Sequence, residues 1–165
     1  MIRIRFVTHG DFESRLIRMQ AGIAMPFTPS HTEALSQDGK SYVGARLDGG
    51  VQPKPINYDA GTIEPLAEGG WCDRIVELPC TPEQEAAFYK FVADKIGEPY
   101  DWKSIFGFEA PDFHTHLLDH VICSAFMTAA LRACNYFPEP LTVPFHHISP
   151  RDLMLILSSH VLVNH

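Results

Sequence analysis

An α+β fold, strands first and helices later, follows from three features of the 165-residue sequence. Met1-Ile2-Arg3-Ile4-Arg5-Phe6 alternates with period two, so Ile2, Ile4 and Phe6 share one face of a strand. Asp38-Gly39 separates two strand-like runs, His31–Ser36 and Lys40–Leu47, and that dipeptide is a strong hairpin signal. Beyond residue 80 the pattern turns helical, beginning at Thr81-Pro82-Glu83-Gln84, a capping box with proline in the first helical position.

In chain order, the opening strand leads to a short helix expected over Asp11–Gln20, with Phe12, Leu16 and Met19 at helical spacing. Prolines 26 and 29 break the chain before the hairpin. After Gly49-Gly50, residues Val51 to Asn57 carry alternating prolines, which suits an edge strand. Arg74–Leu78 reads as a further strand. The capped helix then runs to Ile96 and stops at Gly97, and a short apolar helix is expected up to Phe108. Asp119 to Cys134 is rich in Ala, with Ile122, Phe126, Ala130 and Ala133 at helical spacing and Asp119 as N-cap. Ser149-Pro150-Arg151-Asp152 starts a closing helix through Leu157. There is no internal repeat or linker, so residues 1–165 are expected to form a single domain.

Composition narrows the function classes. Thirteen basic and 20 acidic residues give a net charge of −7, which disfavours binding to a nucleic-acid backbone. No apolar run approaches membrane-spanning length and the N-terminus lacks a signal-peptide core, so a cytoplasmic protein is expected. Cys72, Cys80, Cys123 and Cys134 have no paired-metal spacing, and in a reducing compartment they need not bridge.

Cys123 is the residue of interest. Near a helix N-terminus a thiol ionises more readily and has backbone donors beside it. The competing description is a buried cysteine serving as a small hydrophobe in a core helix.

Four motifs together resemble the permuted papain-like hydrolases related to NlpC/P60. They are Ser30-His31 opening a strand, Gly44-Ala45-Arg46-Leu47-Asp48-Gly49-Gly50-Val51, Gly97-Glu98-Pro99-Tyr100-Asp101-Trp102, and Ile122-Cys123-Ser124 on a helix. The likeness spans roughly Ile2 to Phe137, and the histidine strand precedes the cysteine helix, as in the permuted branch. It implies a circularly permuted NlpC/P60-type domain with an antiparallel sheet and helices packed against it. It further implies Cys123 as nucleophile, His31 as base and Tyr100 as a donor near the oxyanion, with the Cys123 backbone N–H as the other donor. A thiolate attacks, a nearby imidazole generates it and protonates the leaving group, and preorganised donors hold the oxyanion. The residue after Cys123-Ser124, often Glu in that branch, is Ala125 here. Gly44 stands where a polar residue often orients the histidine.

Strand register offers a substitute. If Asp38-Gly39 forms a two-residue turn, Gln37 pairs with Lys40, Glu33 lies opposite Gly44 and His31 opposite Arg46. His31, Glu33, Leu35, Tyr42, Gly44 and Arg46 then share one face, and Thr32, Ala34, Val43, Ala45 and Leu47 form the more apolar, core-facing set. Glu33 is accordingly expected to lean over Gly44 and orient His31; the alternative is a Glu33–Arg46 surface ion pair.

The expected activity is that of a cysteine peptidase or amidase acting on a small peptide or acyl-amide. The bond would be a peptide or isopeptide amide, cell-wall peptides included, with thioester or acyl transfer in related branches. No cofactor, metal, nucleic-acid partner or membrane span is required. Two other readings use the same residues. A catalytically degenerate domain would bind a peptide or acyl ligand in the same groove. A zinc protein would use His114, His116 and His120, with Cys123 and His146-His147 nearby. Trp71 and Trp102 read most simply as core or pocket rim.

Overall fold

The protein was analysed as a computed structural model, which describes residues 1–9, 28–46, 49–60, 73–98, 119–137 and 148–158, without the side chains of 119–122. Among the described residues, five strands form one antiparallel sheet: β1 (Ile2–Val7), β2 (His31–Leu35), β3 (Ser41–Arg46), β4 (Gly50–Pro55) and β5 (Asp73–Leu78). Their spatial order is β4-β3-β2-β1-β5. The described helices are α1 (Pro82–Asp94), α2 (Asp119–Ala133) and α3 (Pro150–Ser158). This is the α+β architecture expected from the sequence. The helix expected over Asp11–Gln20 and the one ending at Phe108 lie outside the described residues.

Alternation sorts the sheet into two faces. Ile2, Ile4, Phe6, Ala34, Val43, Ala45, Val51, Val76 and Leu78 form the buried face and join one core with the helices. The helix α2 lies across β2 and β3, while α1 packs on α2 and α3 packs on α2 and β5. Phe126 and Ala130, with Met127 and Leu131 one residue on, give α2 its buried stripe at i, i+4 spacing. Val92 and Phe88 of α1 and Leu153, Met154 and Leu157 of α3 complete it. Burying each such aliphatic or aromatic side chain contributes roughly 1.5–3 kcal/mol, so this core is the main source of stability.

The helix starts match their local chemistry. Thr81 accepts from the Gln84 backbone N–H while the Gln84 side chain accepts from the Thr81 N–H. Ser149 and Asp152 make the same reciprocal pair at α3, with Asp152 N–H to Ser149 Oγ at 3.1 Å and Ser149 N–H to Asp152 Oδ2 at 3.1 Å. Among the described residues no helix is long and apolar enough to cross a membrane.

Two details of the sheet bear on the site. The β2–β3 register, Ala34 with Val43 and Leu35 with Tyr42, is the expected one, but the connection is wider than a two-residue turn. Ser36 N–H donates to Ser41 O at 2.8 Å, so Gln37 and Lys40 sit inside a four-residue loop instead of pairing. Gly39, at φ 72°, supplies the left-handed turn residue there, and its N–H donates to Ser36 O. At the sheet edge, Val51 of β4 exchanges backbone hydrogen bonds with Gly97 and Glu98 beyond α1. That pairing covers part of an edge already interrupted by Pro53 and Pro55.

Candidate active site

The sheet face turned away from the core is not a solvated polar surface. Arg5 and Glu33, paired across β1 and β2, are each only 1% exposed. Burying such charges is tolerable only when each is matched by partners. Arg5 is met by three carboxylates. Its Nε donates to Asp73 Oδ1 at 2.9 Å and its Nη2 to Asp73 Oδ2 at 2.6 Å. Its Nη1 lies 2.9 Å from Asp59 Oδ2 and 3.3 Å from Glu33 Oε2, and its guanidinium stacks 4.2 Å from the Tyr42 ring centre. Burial works against this charge, but Asp73 and Asp59 outweigh it and hold Arg5 protonated.

Glu33 is the hub of the arrangement. Its Oε1 accepts from Arg46 Nη1 at 2.9 Å, from the Tyr58 hydroxyl at 2.8 Å and from His31 Nε2 at 3.2 Å. Burial would raise this carboxyl, but the His31 hydrogen bond and charge, then Tyr58 and Arg46, bring it down to about 2. Glu33 therefore orients His31 and pairs with Arg46 at once, and the ion pair is buried at Glu33 instead of lying on the surface. Tyr58 is pushed well above the usual phenol range by burial and by the Glu33 charge, so it stays a donor.

Gly44 explains how so much fits over one point of β3. A Cβ there would stand 3.1 Å from Glu33 Cγ and 3.4 Å from His31 Nε2. The space where a polar residue was missing is taken by Glu33 and His31 themselves.

His31 opens β2, and Cys123 lies fully buried in α2. The two side chains lie close enough to interact by charge and hydrogen bonding, although 92 positions separate them in sequence. Burial alone would strip the ring of its proton. The Cys123 sulfur, by charge and hydrogen bond, and then Glu33 overcome that and raise His31 to about 9. The neighbouring Ser124 is tied down by its Oγ, which donates to Ile148 O, while Thr128 Oγ1 donates to Ser124 O at 2.7 Å.

One expectation about Cys123 needs correction. Asp119 is already helical and so is not the N-cap, which puts Cys123 at least four residues inside α2. Its backbone N–H falls beyond the unpaired donors of the helix start, so it is not a free oxyanion donor, and the dipole effect has weakened there. The partner that matters for this thiol is the His31 ring.

Tyr100, the other expected oxyanion donor, lies outside the described residues, as do Cys72, Trp71, Trp102, His114, His116, His146, His147 and the His120 side chain. Among the described residues, no group of three or more His, Cys, Asp and Glu is arranged to hold a metal ion. The described cysteines, Cys80, Cys123 and Cys134, are unbridged.

Arg5, His9, Tyr58, Asp59 and Asp73 were not anticipated at this site. His9, just past β1, is held by Asp59 Oδ2 at 3.0 Å from its Nε2, and its ring centre is 6.0 Å from that of His31. One clue to Arg5 was present: the alternation that puts Ile4 and Phe6 in the core turns Arg5 to the opposite face of β1.

No family model matches the chain, and no curated protein matches it. Among solved structures the chain is similar to the crystal structure of metalloprotein yiiX from Escherichia coli O157:H7, DUF1105. The identity is 16%, the TM-score is 0.43, and the match covers 87% of this chain and 84% of that one.

Proposed function

We infer that this protein is a cysteine hydrolase of the permuted papain-like, NlpC/P60-related kind, cleaving an amide bond in a small peptide or acyl-amide. The observation that carries this reading is the His31 imidazole, hydrogen-bonded to Glu33 at 3.2 Å and within interaction reach of the Cys123 sulfur. Chain order supports it, since the histidine strand β2 precedes the cysteine helix α2, which lies across β2 and β3.

The roles follow from the chemistry. Nε2 of His31 is engaged by Glu33, which leaves Nδ1 as the nitrogen for the sulfur. The Cys123 thiolate attacks the carbonyl carbon. The His31 imidazolium, kept charged by Glu33, gives its proton to the departing amine, and the acyl group remains on sulfur as a thioester. Tyr100 is the residue assigned to the oxyanion.

The test is to assay the protein and its Cys123→Ala variant against peptidoglycan fragments and acyl-amide libraries, with trapping of a thioester on Cys123. Turnover that survives in Cys123→Ala, or a covalent adduct on another cysteine, ends this assignment.

A further inference from the structure

Cys123, His31 and Glu33 suffice for the chemistry above, yet the same face holds a second imidazole–carboxylate pair. His9 is 7% exposed, its backbone N–H donates to Ser30 Oγ at 3.1 Å, and its Nε2 lies 3.0 Å from Asp59 Oδ2. Asp59, 3% exposed, is gripped by both terminal nitrogens of Arg5, at 2.9 and 3.2 Å. The same guanidinium reaches Glu33 at 3.3 Å. Two histidines, each backed by its own carboxylate, are thus joined through Arg5 with their ring centres 6.0 Å apart. Anchoring the end of β1 to residue 59 would need only a neutral hydrogen-bonding side chain. A second titratable ring close to the first makes two positive charges compete, which a purely structural tie would avoid.

We propose that His9, oriented by Asp59, is the second acid–base group of this centre, accepting the proton of the water that resolves the Cys123 thioester. This rests on the thiol-hydrolase reading. Among the described residues, the charged and titratable groups that act on His9 are Asp59 from the segment after β4, His31 on β2 and Arg46 on β3. Burial lowers the proton affinity of His9; Asp59 opposes this, while the charges of His31 and Arg46 add to it. The His31 contribution is conditional. Once His31 has given its proton to the amine, its repulsion disappears and His9 becomes the stronger base that it could not be before. In the second half-reaction a water O–H proton passes to His9 as the oxygen bonds to the thioester carbon. The C–S bond breaks, the electron pair returns to Cys123 sulfur, and the product leaves as a carboxylic acid. Transfer of the His9 proton to His31 restores the starting pair.

The experiment follows turnover of 4-nitroacetanilide, whose departing amine takes the His31 proton, by stopped flow with the full chain, its His9→Gln variant and its Asp59→Asn variant. Mass spectrometry of Cys123 reports the acetyl-enzyme. Acylation, read as the burst, should stay within about twofold, while steady turnover falls at least about tenfold, the scale of a lost general base, and acetyl-Cys123 accumulates. Hydroxylamine attacks a thioester without needing a base, so it should release acetyl-enzyme from wild type and His9→Gln at one rate. Asp59→Asn should shift turnover in the same direction by less, which keeps the test decisive if His9→Gln does not fold. Burst and turnover falling together, or neither changing, overturns the role of His9. A wild-type protein that never acetylates Cys123 instead refutes the hydrolase reading, and the role of His9 with it.

Discussion

Glu33 Oε1 sits 3.2 Å from His31 Nε2, and the two side chains crowd the space that a Cβ on Gly44 would need. The β2–β3 register, with Ala34 paired to Val43, brings Glu33 beside Gly44 one residue further along each strand. Glycine is required here for close approach and not for an unusual φ, since Gly39, Gly50 and Gly97 are the described glycines with positive φ.

Gly44→Ala should therefore act on the site directly. Its methyl would meet Glu33 Cγ at 3.1 Å, and Glu33 cannot retreat while Arg5, Arg46 and Tyr58 hold its carboxylate. Urea unfolding should show a loss of about 1–3 kcal/mol, the usual scale for overpacking. Iodoacetamide mapping should show a labelling rate at Cys123, relative to Cys80 and Cys134, that differs from wild type. Wild-type stability and an unchanged relative labelling rate would mean that the crowding is relieved elsewhere.

Arg5→Met keeps the volume and removes the charge. Glu33, Asp59 and Asp73 then lose a common partner, two of them in a nearly water-free setting. Breaking a buried ion cluster from one side costs about 3–5 kcal/mol, so this should be among the most destabilising single changes in β1. Thr81→Ala, which removes the α1 cap, should cost only about 1 kcal/mol and serves as the comparison. Denaturant curves for both variants give the ranking, and a milder effect for Arg5→Met would show that the cluster relaxes into water.

The strands, the capping box of α1 and the β2–β3 register were legible because each depends on neighbours a few residues away. The Arg5–Glu33 contact was not, although both residues lay in correctly read strands. It requires β1 to sit between β2 and β5, and nothing in the local pattern of Ile2–Val7 says which strands flank it. Asp59 and Tyr58 were hidden for another reason. They follow β4 in a run of turns, where periodicity carries no information about facing. His31 is implied by the family resemblance, whereas Glu33 follows from register counted across a hairpin whose loop has four residues instead of two. The register survived because the sum of paired positions is the same for a two- and a four-residue loop closed symmetrically.

Stability should depend on pH from both sides. Glu33 titrates at about 2 in the fold against an ordinary 4.5, so its contribution is present above that range and is lost as pH falls toward 2. His31 titrates at about 9 against an ordinary 6.5, so its contribution is complete below 6.5 and is lost as pH rises toward 9. Thermal melts should be highest between pH 5 and 6.5, with declines on either side, as those four values require. In His31→Gln the alkaline decline should flatten. An alkaline decline that is unchanged in that variant would assign it to other groups.

The His31 ring also gives a direct way to separate its two partners. Its proton is held first by the Cys123 sulfur and second by Glu33, against burial. Histidine labelled at Cε1, followed by NMR across pH, should place the wild-type midpoint near 9. Cys123→Ser removes the larger support and should bring the midpoint down the furthest. Glu33→Gln should lower it by less, on the order of one unit, since an opposite charge within hydrogen-bond reach is worth about one to three. The order matters more than the sizes. If Glu33 served only Arg46, Glu33→Gln would leave the His31 midpoint where it is and change only the Arg46–Tyr58 contacts. If Cys123→Ser left it unmoved, the sulfur and the ring would not be partners in solution, and Cys123 would revert to a small buried hydrophobe of α2.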